Sequence, residues 1–483
     1  VKIEFPASFH SRRRNHYLQF RQFPSVKTLR VVVENNMVGR GKSKQARSEE
    51  LDRISELPNP LKSQILSHLP TKDAVKTSFI STAWRSLWLW VPQLELDSRE
   101  FADLAAFVKF GDRFFDLART SSIHKLNLTL DRNEDEDEDA SYLTPWIDAA
   151  VKRKVQHVHF RCSSDKYLYE MPKSLYICET LVSLELYKMK LVDSEVFSLP
   201  CLKTLQLKLI WYTNESTLER LVSSCPLLEE LKILVGWNDL KLYRVKSRSL
   251  KKFFFIRTSS ASLRDSVSGV VIDAPLLRVM CIYDNVSKSF QVDNLEHGAK
   301  LGLALDFGLE DLDEAGVSSR RNRVRSFLPG ISRASFMTID ADTFKLIHDY
   351  FKLEPLPQFR YMSRLAVTLC VSDLKGLPTF LESCPNLEVL NVALNDYEEM
   401  NHNSFFASVV PECLLSSLKI VDLDIRISGY AAEMKLVNYF LENSPVLKTL
   451  ALHVNYPLVV DYDIFKELLR IPRRSAMCQV VVI

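Results

Sequence analysis

The segment PCLKTLQL (Pro200–Leu207) belongs to a set of similar phrases that recur along this chain of 483 residues. In each phrase a proline is followed by apolar residues at positions +2, +5 and +7. The others that begin with proline are PLLEELKI from Pro226, PLLRVMCI from Pro275, PNLEVLNV from Pro385 and PVLKTLAL from Pro445. Two further phrases, LVSLEL (181–186) and SSLKIVDL (416–423), lack the proline but keep the spacing.

The residue at +5 marks one repeat of this pattern. These anchors fall at positions 184, 205, 231, 253, 280 and 303, and again at 365, 390, 421 and 450, advancing by 21 to 31 residues within each group. A period of this length that carries L-x-x-L-x-L is typical of leucine-rich repeats. The +5 and +7 side chains of each short strand point to one face, and stacking of the repeats buries them together.

The segments between the phrases predict a second layer. LERLVSSC (218–225) and LPTFLESC (377–384) are interpreted as helices on the other side of the strands. The sequence therefore predicts an α/β fold, namely an irregular solenoid of parallel strands with helices on the outer face. The stretch 310–360 breaks the period.

Nine cysteines are scattered along the chain, and none forms a C-x-x-C pair. We expect free thiols that serve as small core residues in a reducing compartment, the nucleus and/or the cytoplasm. Cys225 and Cys384 occupy equivalent positions in their repeats, which favours a structural role for both.

Upstream of the repeats, three of the six tryptophans, Trp84, Trp88 and Trp90, fall within seven residues. They belong to the segment LPTKDAVKTSFISTAWRSLWLWVPQL (69–94). Trp84 and Trp88 are four residues apart, so we predict that they share one helical face. Pro92 ends the segment.

Prolines also set the helix boundaries that precede the tryptophans. Pro58 or Pro60 suits the start of a helix, where a missing N–H has no cost. Four apolar residues then recur at helical spacing and are predicted to form one face: Leu61, Ile65, Leu66 and Leu69. Pro70 ends this helix. Thr71 is predicted to cap the next one, with Asp73 in its first turn.

About three short helices in roughly 40 residues barely fill a core on their own. The unit nevertheless carries a large apolar load: Leu57, Ile65, Leu69, Val75, Phe79, Trp84, Trp88 and Trp90. Part of this surface is therefore expected to be covered, either by the rest of the chain or by a partner protein.

The stretch DRISELPNPLKSQILSHLPTKDAVKTSFISTAWRSLWLWVPQLEL (52–96) resembles the F-box of plant F-box proteins. It matches D-R-I-S-x-L-P, I-L-S-x-L-P-T-K-x-A-V-x-T-S, W-R-x-L-W and V-P-x-L in order and at the family spacing. The resemblance implies docking on the SKP-type adaptor of a cullin-RING (SCF) ubiquitin ligase. The positions that match the family's adaptor contact are Leu57, Pro58, Ile65, Leu66, Leu69, Pro70, Val75 and Trp84.

Three departures from the family pattern leave a second interpretation open. Asn59-Pro60 stands where an acidic pair is common, Lys62 replaces a leucine, and Thr82-Ala83 replaces basic residues before the tryptophan. If these changes weaken adaptor binding, the chain is a leucine-rich-repeat interaction scaffold that does not enter a ligase.

The C-terminal segment 409–454 resembles the FBD domain that ends many plant F-box/leucine-rich-repeat proteins, through P-x-C-L-L-S-S-L-K and L-x-N-S-P-V-L-K. We therefore predict four regions: a basic leader (1–47), an F-box (50–96), degenerate repeats (98–400) and an FBD-like domain that continues the repeats (405–480). The resemblance implies a non-catalytic subunit whose F-box binds the adaptor and whose repeats bind a target protein for ubiquitination.

Charge is divided unevenly along the chain. Residues 1–47 carry eleven Lys or Arg against two Glu, a balance of +9, so the total of +3 leaves −6 for the remainder. An acidic body argues against nucleic-acid binding, and no apolar run reaches the roughly 18–20 residues of a membrane span. We interpret the leader as a basic, disordered tail, with an organelle transit peptide as the alternative.

Other candidate sites are weaker. Gly41-Lys42-Ser43 follows a strand-like run, but Asn36 stands where a phosphate-binding loop needs its first glycine. The acidic run EDEDED (134–139) is interpreted as a solvated loop, and the pair His157 and His159 lacks a third metal ligand nearby. We find no catalytic motif and expect no catalytic residue, metal or cofactor.

Overall fold

The computed structural model describes residues 54, 56–117, 122–131, 141–163, 168–236, 240–257, 269–306, 314–394, 410–424, 431–453 and 470–482. The basic leader with its Gly41-Lys42-Ser43 and the acidic run 134–139 lie outside the described residues. The chain divides into two compact units, Val1–Leu57 and Pro58–Ile483. In the first unit, the Leu57 N–H donates to the carbonyl of Ile54 at 3.3 Å. The second unit contains the helices and strands described below.

Short helices begin the second unit: α1 (Asn59–Leu66), α2 (Thr71–Lys76) and two 3-10 helices (Thr77–Phe79 and Leu87–Trp90). Pro58 is the N-cap of α1 and Pro60 lies in its first turn, as predicted. The negative charge of Asp73 lies in the first turn of α2, where the helix dipole favours it.

Three local predictions in this region are wrong. The first helix ends at Leu66 and does not continue to Pro70. Thr71 does not cap α2, because Pro70 holds the N-cap position without a side-chain hydrogen bond. The Thr71 hydroxyl instead accepts the backbone N–H of Glu95 at 2.8 Å. Trp84 and Trp88 do not share a helical face, because Trp84 lies in a turn and Trp88 in the second 3-10 helix.

The chain then forms 21 strands within the described ranges. In chain order they are β1 (Gln93–Asp97), β2 (Lys125–Leu130), β3 (His157–Cys162), β4 (Tyr169–Glu170), β5 (Ser183–Tyr187), β6 (Met189–Leu191), β7 (Thr204–Lys208), β8 (Trp211–Tyr212), β9 (Glu230–Val235), β10 (Leu242–Lys246), β11 (Lys252–Arg257), β12 (Gly269–Asp273), β13 (Val279–Asp284), β14 (Phe290–Asp293), β15 (Lys300–Leu305), β16 (Phe336–Ile339), β17 (Arg364–Leu369), β18 (Val389–Leu394), β19 (Ile420–Asp424), β20 (Thr449–Leu452) and β21 (Gln479–Val482).

Fifteen of these strands form one parallel sheet in the order β1-β2-β3-β5-β7-β9-β11-β13-β15-β16-β17-β18-β19-β20-β21. Parallel strands with a helix or strand crossover between them are the expected arrangement of leucine-rich repeats. The sheet continues through β19, β20 and β21, so the C-terminal segment extends the same stack of repeats.

One apolar residue from each strand lines up across the whole sheet, and all of these residues are buried except Val480 on β21, which is half-buried. This ladder consists of Leu94, Leu126, Val158, Leu184, Leu205, Leu231, Phe253, Met280, Leu301, Met337, Leu365, Leu390, Val421, Leu450 and Val480. A second ladder runs two residues further along each strand and is buried from Leu96 to Leu452, while Val482 on β21 is exposed. The predicted anchors 184, 205, 231, 253, 280, 365, 390, 421 and 450 are all confirmed.

The predicted anchor at 303 is wrong by two residues. Met280 pairs with Leu301, while Leu303 pairs with Ile282 in the second ladder. Three leucines alternate along β15, at 301, 303 and 305, and all three are buried. The pattern of side chains alone therefore cannot set the register of this strand, which the hydrogen bonds between strands decide.

The stretch 310–360, where the period fails, holds two long helices around β16. The helices after α2 are α3 (Leu104–Leu117), α4 (Leu143–Lys152), α5 (Lys173–Tyr176), α6 (Thr217–Ser223), α7 (Glu314–Ile331), α8 (Ala341–Phe351), α9 (Leu377–Glu382), α10 (Glu412–Ser416) and α11 (Ala431–Asn443), with 3-10 helices at Ser98–Glu100 and Val371–Gly376. The interval from Leu301 to Met337 reaches 36 residues because α7 alone has 18.

Within the described ranges, no helix is long and apolar enough to cross a membrane.

The layer outside the main sheet contains both helices and strands. Both segments predicted as outer helices are helical, as α6 and α9. Two small parallel sheets, β4-β6-β8 and β10-β12-β14, also belong to this layer, and the second of them contacts α6 and α7.

Cys225 and Cys384 follow α6 and α9 and are buried, as a structural role requires. Their thiols donate to the carbonyls of Leu221 at 3.1 Å and Phe380 at 3.7 Å, each four residues upstream. Burial raises the pKa of Cys225 to about 11 and raises that of Cys384 further, so both thiols stay protonated at neutral pH.

The contact between α3 and α4 leaves no room beside Gly111. A Cβ added at Gly111 would lie 2.1 Å from a ring carbon of Trp146, which is buried and donates its indole N–H to Asp112 at 2.8 Å. We expect Gly111→Ala to lower the free energy of unfolding by about 1–3 kcal/mol, although alanine is the better helix former. Urea denaturation would measure this change.

Lys109→Ala on the exposed side of α3 is the matched control, and its free energy of unfolding is expected within about 0.5 kcal/mol of wild type. A Gly111→Ala protein as stable as wild type would contradict the packing.

Candidate functional site

The N-terminal helices enclose a small apolar core of their own. It consists of Leu66, Ala74, Trp84, Leu87 and Val91, with Leu69 and Trp88 partly buried against it. Trp88 also belongs to the edge of the main core, where its ring stacks on Phe110 at 5.8 Å. One tryptophan therefore joins the two cores.

Polar contacts attach the same helices to the first strand of the sheet. The Thr71 hydroxyl accepts the N–H of Glu95. The Gln93 side chain donates to the carbonyls of Ser67 and Leu69. Because β1 is the end strand of the main sheet, these bonds attach the helices to one end of the repeat stack, where terminal caps lie in solenoids.

The eight residues predicted from the F-box resemblance lie in different environments. Leu66 and Trp84 are buried, at 0% and 5% exposure, inside the helical core. In the second unit the other members keep exposed surface: Pro58, Ile65, Leu69, Pro70 and Val75. Leu57, in the first unit, is half-buried. Leu66 and Trp84 hold the helices together and offer almost no surface for a partner to contact.

Several large apolar side chains of the helices remain exposed. Phe79 is 87% exposed and Ile80 is 69% exposed, at the end of the first 3-10 helix. Leu61 and Ile65 on α1 are 46% and 44% exposed, and Trp90 is 47% exposed. Where exposed apolar side chains form a contiguous patch, they often mark a protein–protein interaction site. Phe79, Ile80 and Leu61 were absent from the predicted contact set, although their apolar character next to two short helices was visible in the sequence.

Lys62 points into the helical core. It is 4% exposed, and its Nζ lies 5.8 Å from the centre of the Trp84 ring. Its aliphatic stem fills the space that a leucine would occupy. Asn59, Pro60, Thr82 and Ala83 are exposed.

The side of the main sheet opposite to the buried ladders, here called the open face, is the second large surface. The residue between the two ladders on each strand forms its middle row: Glu95, Asn127, His159, Glu185, Gln206, Lys232, Phe254, Cys281, Gly302, Thr338, Ala366, Asn391, Asp422, Ala451 and Val481. A second row, on the carboxyl-end side, includes Asp97, Arg161, Tyr187, Lys208, Leu234, Ile256, Tyr283 and Ala304.

Charges on the first strands of the open face pair with one another. Glu185 lies between His159, at 3.2 Å, and Lys208, at 2.5 Å. Burial alone would raise the pKa of Glu185, but the hydrogen bonds from these two groups outweigh it and lower the pKa to about 2. Glu230 similarly pairs with Lys232 at 2.7 Å and Lys252 at 3.3 Å.

His157 and His159 lie two residues apart on β3. His159 contacts Glu185. In the part of the chain that the structure describes, no group of three or more His, Cys, Asp or Glu side chains is arranged to hold a metal ion.

Three protein-family models match the chain: an F-box domain over residues 54–95, the LRR repeats of FBD-associated F-box protein At5g56370 over 143–296, and FBD over 407–452. Among similar proteins, the putative FBD-associated F-box protein At5g53635 of Arabidopsis thaliana is 56% identical over 435 residues, covering 89% of this chain and 100% of the relative. The putative F-box/FBD/LRR-repeat protein At2g05300 of the same plant is 51% identical over 436 residues, covering 89% and 97%. The F-box/FBD/LRR-repeat protein At5g22660, also from Arabidopsis thaliana, is 39% identical over 438 residues, covering 89% and 96%.

Proposed function

The chain belongs to the plant F-box/FBD/LRR-repeat family, and from that premise we propose that it is the substrate-recognition subunit of an SCF-type ubiquitin ligase. In this role the helices Asn59–Leu66 to Leu87–Trp90 bind an SKP-type adaptor, and the repeats bind a target protein. The chain itself catalyses no reaction.

The exposed apolar surface of the N-terminal helices carries this proposal. Phe79 and Ile80 are the two most exposed large apolar residues of this region, at 87% and 69%. Burying such side chains on a partner removes apolar area from water, which is favourable by about 25 cal/mol per Å². A few well-packed anchor side chains, often aromatic, supply most of the binding energy of a protein interface.

The departures from the family pattern are compatible with adaptor binding. Lys62 is inside the helical core rather than on its surface. Having Lys62 in place of the family's leucine therefore does not reduce the apolar surface that an adaptor could contact. Asn59 and Pro60 start α1 in the place of an acidic pair, and the helix forms with Pro60 in its first turn. These observations favour the ligase subunit over a scaffold that never engages an adaptor.

The attachment of the helices to β1 suits the proposed role. A ligase subunit accelerates ubiquitin transfer by holding the target at high effective concentration near the conjugating enzyme. The hydrogen bonds of Thr71 and Gln93 and the packing of Trp88 restrict movement between the helices and the open face. A bound target would therefore be held in a defined position relative to the adaptor.

Binding of purified SKP-type adaptor to the full chain tests the proposal. We expect the double substitution Phe79→Ala/Ile80→Ala to weaken binding by about 2–4 kcal/mol, or roughly 30- to 1000-fold. Because both side chains are exposed, the fold should remain intact. Calorimetry or surface plasmon resonance would measure the affinity.

Leu353→Ala is the matched control, because Leu353 is 60% exposed and lies outside the N-terminal helices. It should bind the adaptor as wild type does. If wild-type chain does not bind the adaptor, the interaction scaffold becomes the better interpretation. If wild type binds and the double variant binds equally well, the adaptor uses another surface.

A further inference from the structure

The open face changes character in the middle of the sheet. From β1 to β9 its two rows carry charges such as Glu95, Arg161, Glu185, Lys208 and Lys232. On β11, β13 and β15 the same two rows carry no formal charge. We name the uncharged surface the apolar patch and define it by Leu234, Phe254, Ile256, Cys281, Tyr283, Gly302 and Ala304.

The apolar patch has the size of a binding site for one or two bulky side chains. Neighbouring strands lie about 4.8 Å apart, so the patch measures roughly 15 Å from β9 to β15. Tyr283 is its most exposed member, at 42%. Gly302 has no side chain and is buried between Cys281 and Thr338, its partners on the neighbouring strands, so the exposed part of the patch comes from the other members.

Carboxylates border the patch at the carboxyl ends of β15 and β16. Asp306 directly follows β15, Asp340 directly follows β16, and Asp342 lies in the first turn of α8. The N–H of Asp340 donates to the Leu303 carbonyl at 3.1 Å, which holds the end of β16 against β15.

These carboxylates act on one another and on the patch. Burial raises the pKa of Asp340 to about 6, and the negative charges of Asp342 and Asp306 add to the increase. The pKa of Tyr283 is also raised, first by burial and then by the charges of Asp340 and Asp342. Asp340, whose carboxylate accepts the Thr343 N–H at 3.0 Å, and the exposed Asp342 thus place negative charge beside an exposed aromatic ring, where it would favour a cation.

We propose that the apolar patch and its acidic border are the target-recognition site, and that they bind a segment with a bulky apolar residue next to a lysine or arginine. The apolar side chain would cover Tyr283 and Ile256, and the cation would lie beside Asp342 and Asp340. The same border repels phosphorylated or acidic segments. This inference rests on the proposed function, because it names the class of target that the repeats select.

Selection from a phage-displayed random dodecapeptide library against the purified full chain would test the site. We expect enriched peptides to combine an aromatic or aliphatic residue with an adjacent lysine or arginine. Failure to enrich any sequence over uncoated beads, or enrichment of acidic sequences, would overturn the proposal.

Variants then locate the binding of the enriched peptides, measured by fluorescence anisotropy. Tyr283→Ala should weaken binding by about tenfold or more, as loss of a central aromatic anchor does. Asp342→Asn should weaken it by about two- to fivefold, the range of an exposed ion pair. Asp349→Asn, also exposed on α8 but seven residues further along, should leave binding unchanged.

Peptides whose affinity is insensitive to both Tyr283→Ala and Asp342→Asn would show that they bind elsewhere and would refute the site. The adaptor assay separates this result from failure of the proposed function. A chain that binds adaptor but no basic apolar peptide refutes only the recognition site. A chain that binds such peptides at the patch but no adaptor refutes only the ligase role.

Discussion

Asp284→Ala is expected to lower the free energy of unfolding of the central repeats by about 3–5 kcal/mol, the cost of leaving one partner of a buried ion pair without the other. Asp284 and Arg257 occupy paired positions on β13 and β11 and are 0% and 1% exposed. Neighbouring strands carry Val235 and Leu305 at the same level. Arg257 and Asp284 are thus charged residues at a level of the sheet where the flanking strands have apolar residues.

A compact network neutralises this pair. The Arg257 Nη1 lies 3.9 Å from Asp284 Oδ2 and donates to the Ser287 hydroxyl at 2.7 Å, which donates to Asp284 at 2.5 Å. The backbone N–H groups of Val286 and Ser287 also donate to Asp284, each at 2.9 Å. The guanidinium lies over the Tyr243 ring at 4.8 Å. Removing the carboxylate takes the charge of Asp284 away from the buried Arg257 guanidinium and also orphans the two N–H groups.

The double substitution Arg257→Met/Asp284→Leu is the informative control. Replacing both charges by apolar groups of similar volume is often neutral or stabilising, so the double variant should be more stable than Asp284→Ala. Because repeats unfold locally, hydrogen exchange of β11, β13 and β15 is the sharpest measurement, together with urea denaturation. A loss of less than 1 kcal/mol in Asp284→Ala would show that water or a shifted side chain replaces the carboxylate.

The repeat register was predictable because it depends on alternating side chains. Leu205 and Leu231, like the other confirmed anchors, lie in phrases where one apolar residue follows another at a spacing of two, bounded by polar residues. That pattern fixes which face of a strand is buried. It does not identify which of several buried residues aligns with a neighbouring strand, and for this reason Leu303 was chosen in place of Leu301.

Other features depend on contacts distant in sequence. Met337 was missed because β16 has only four residues and no preceding proline phrase. Arg257 and Asp284 could not be recognised as a buried pair because each looks like an ordinary charged residue at the end of a strand. The acidic border of the apolar patch joins residues from β15, β16 and α8, which only the fold brings together.

In the N-terminal helices, the sequence also does not determine which of two adjacent apolar residues is buried. Ile65 and Leu66 are adjacent and equally apolar, yet Ile65 is 44% exposed and Leu66 is fully buried. Helical spacing allows either to face the core. Which one is covered depends on Trp84 and Leu87, which come from a later turn and 3-10 helix.

Trp84→Ala is the second substitution with a large expected effect, because Trp84 fills the centre of this small core. The ring is 5% exposed and packs with Leu66, Leu87 and Val91. Replacing a buried tryptophan by alanine costs about 3–5 kcal/mol, which is a large part of the stability of an ordinary domain. The N-terminal helices should therefore open locally, while the repeats beyond β1 keep their structure.

Hydrogen exchange of residues 59–91, measured beside adaptor affinity, distinguishes this effect from a loss of surface contact. Trp84→Ala should lose both protection and affinity, since only the closed fraction binds and the apparent Kd rises as that fraction falls. Phe79→Ala, which removes an 87% exposed ring, should lose affinity and keep its protection. Trp84→Phe, which retains most of the buried area, should lie between wild type and Trp84→Ala on both measures. If Trp84→Ala lost affinity with unchanged protection, the indole would contact the adaptor directly, and the helices would have to rearrange on binding to expose it.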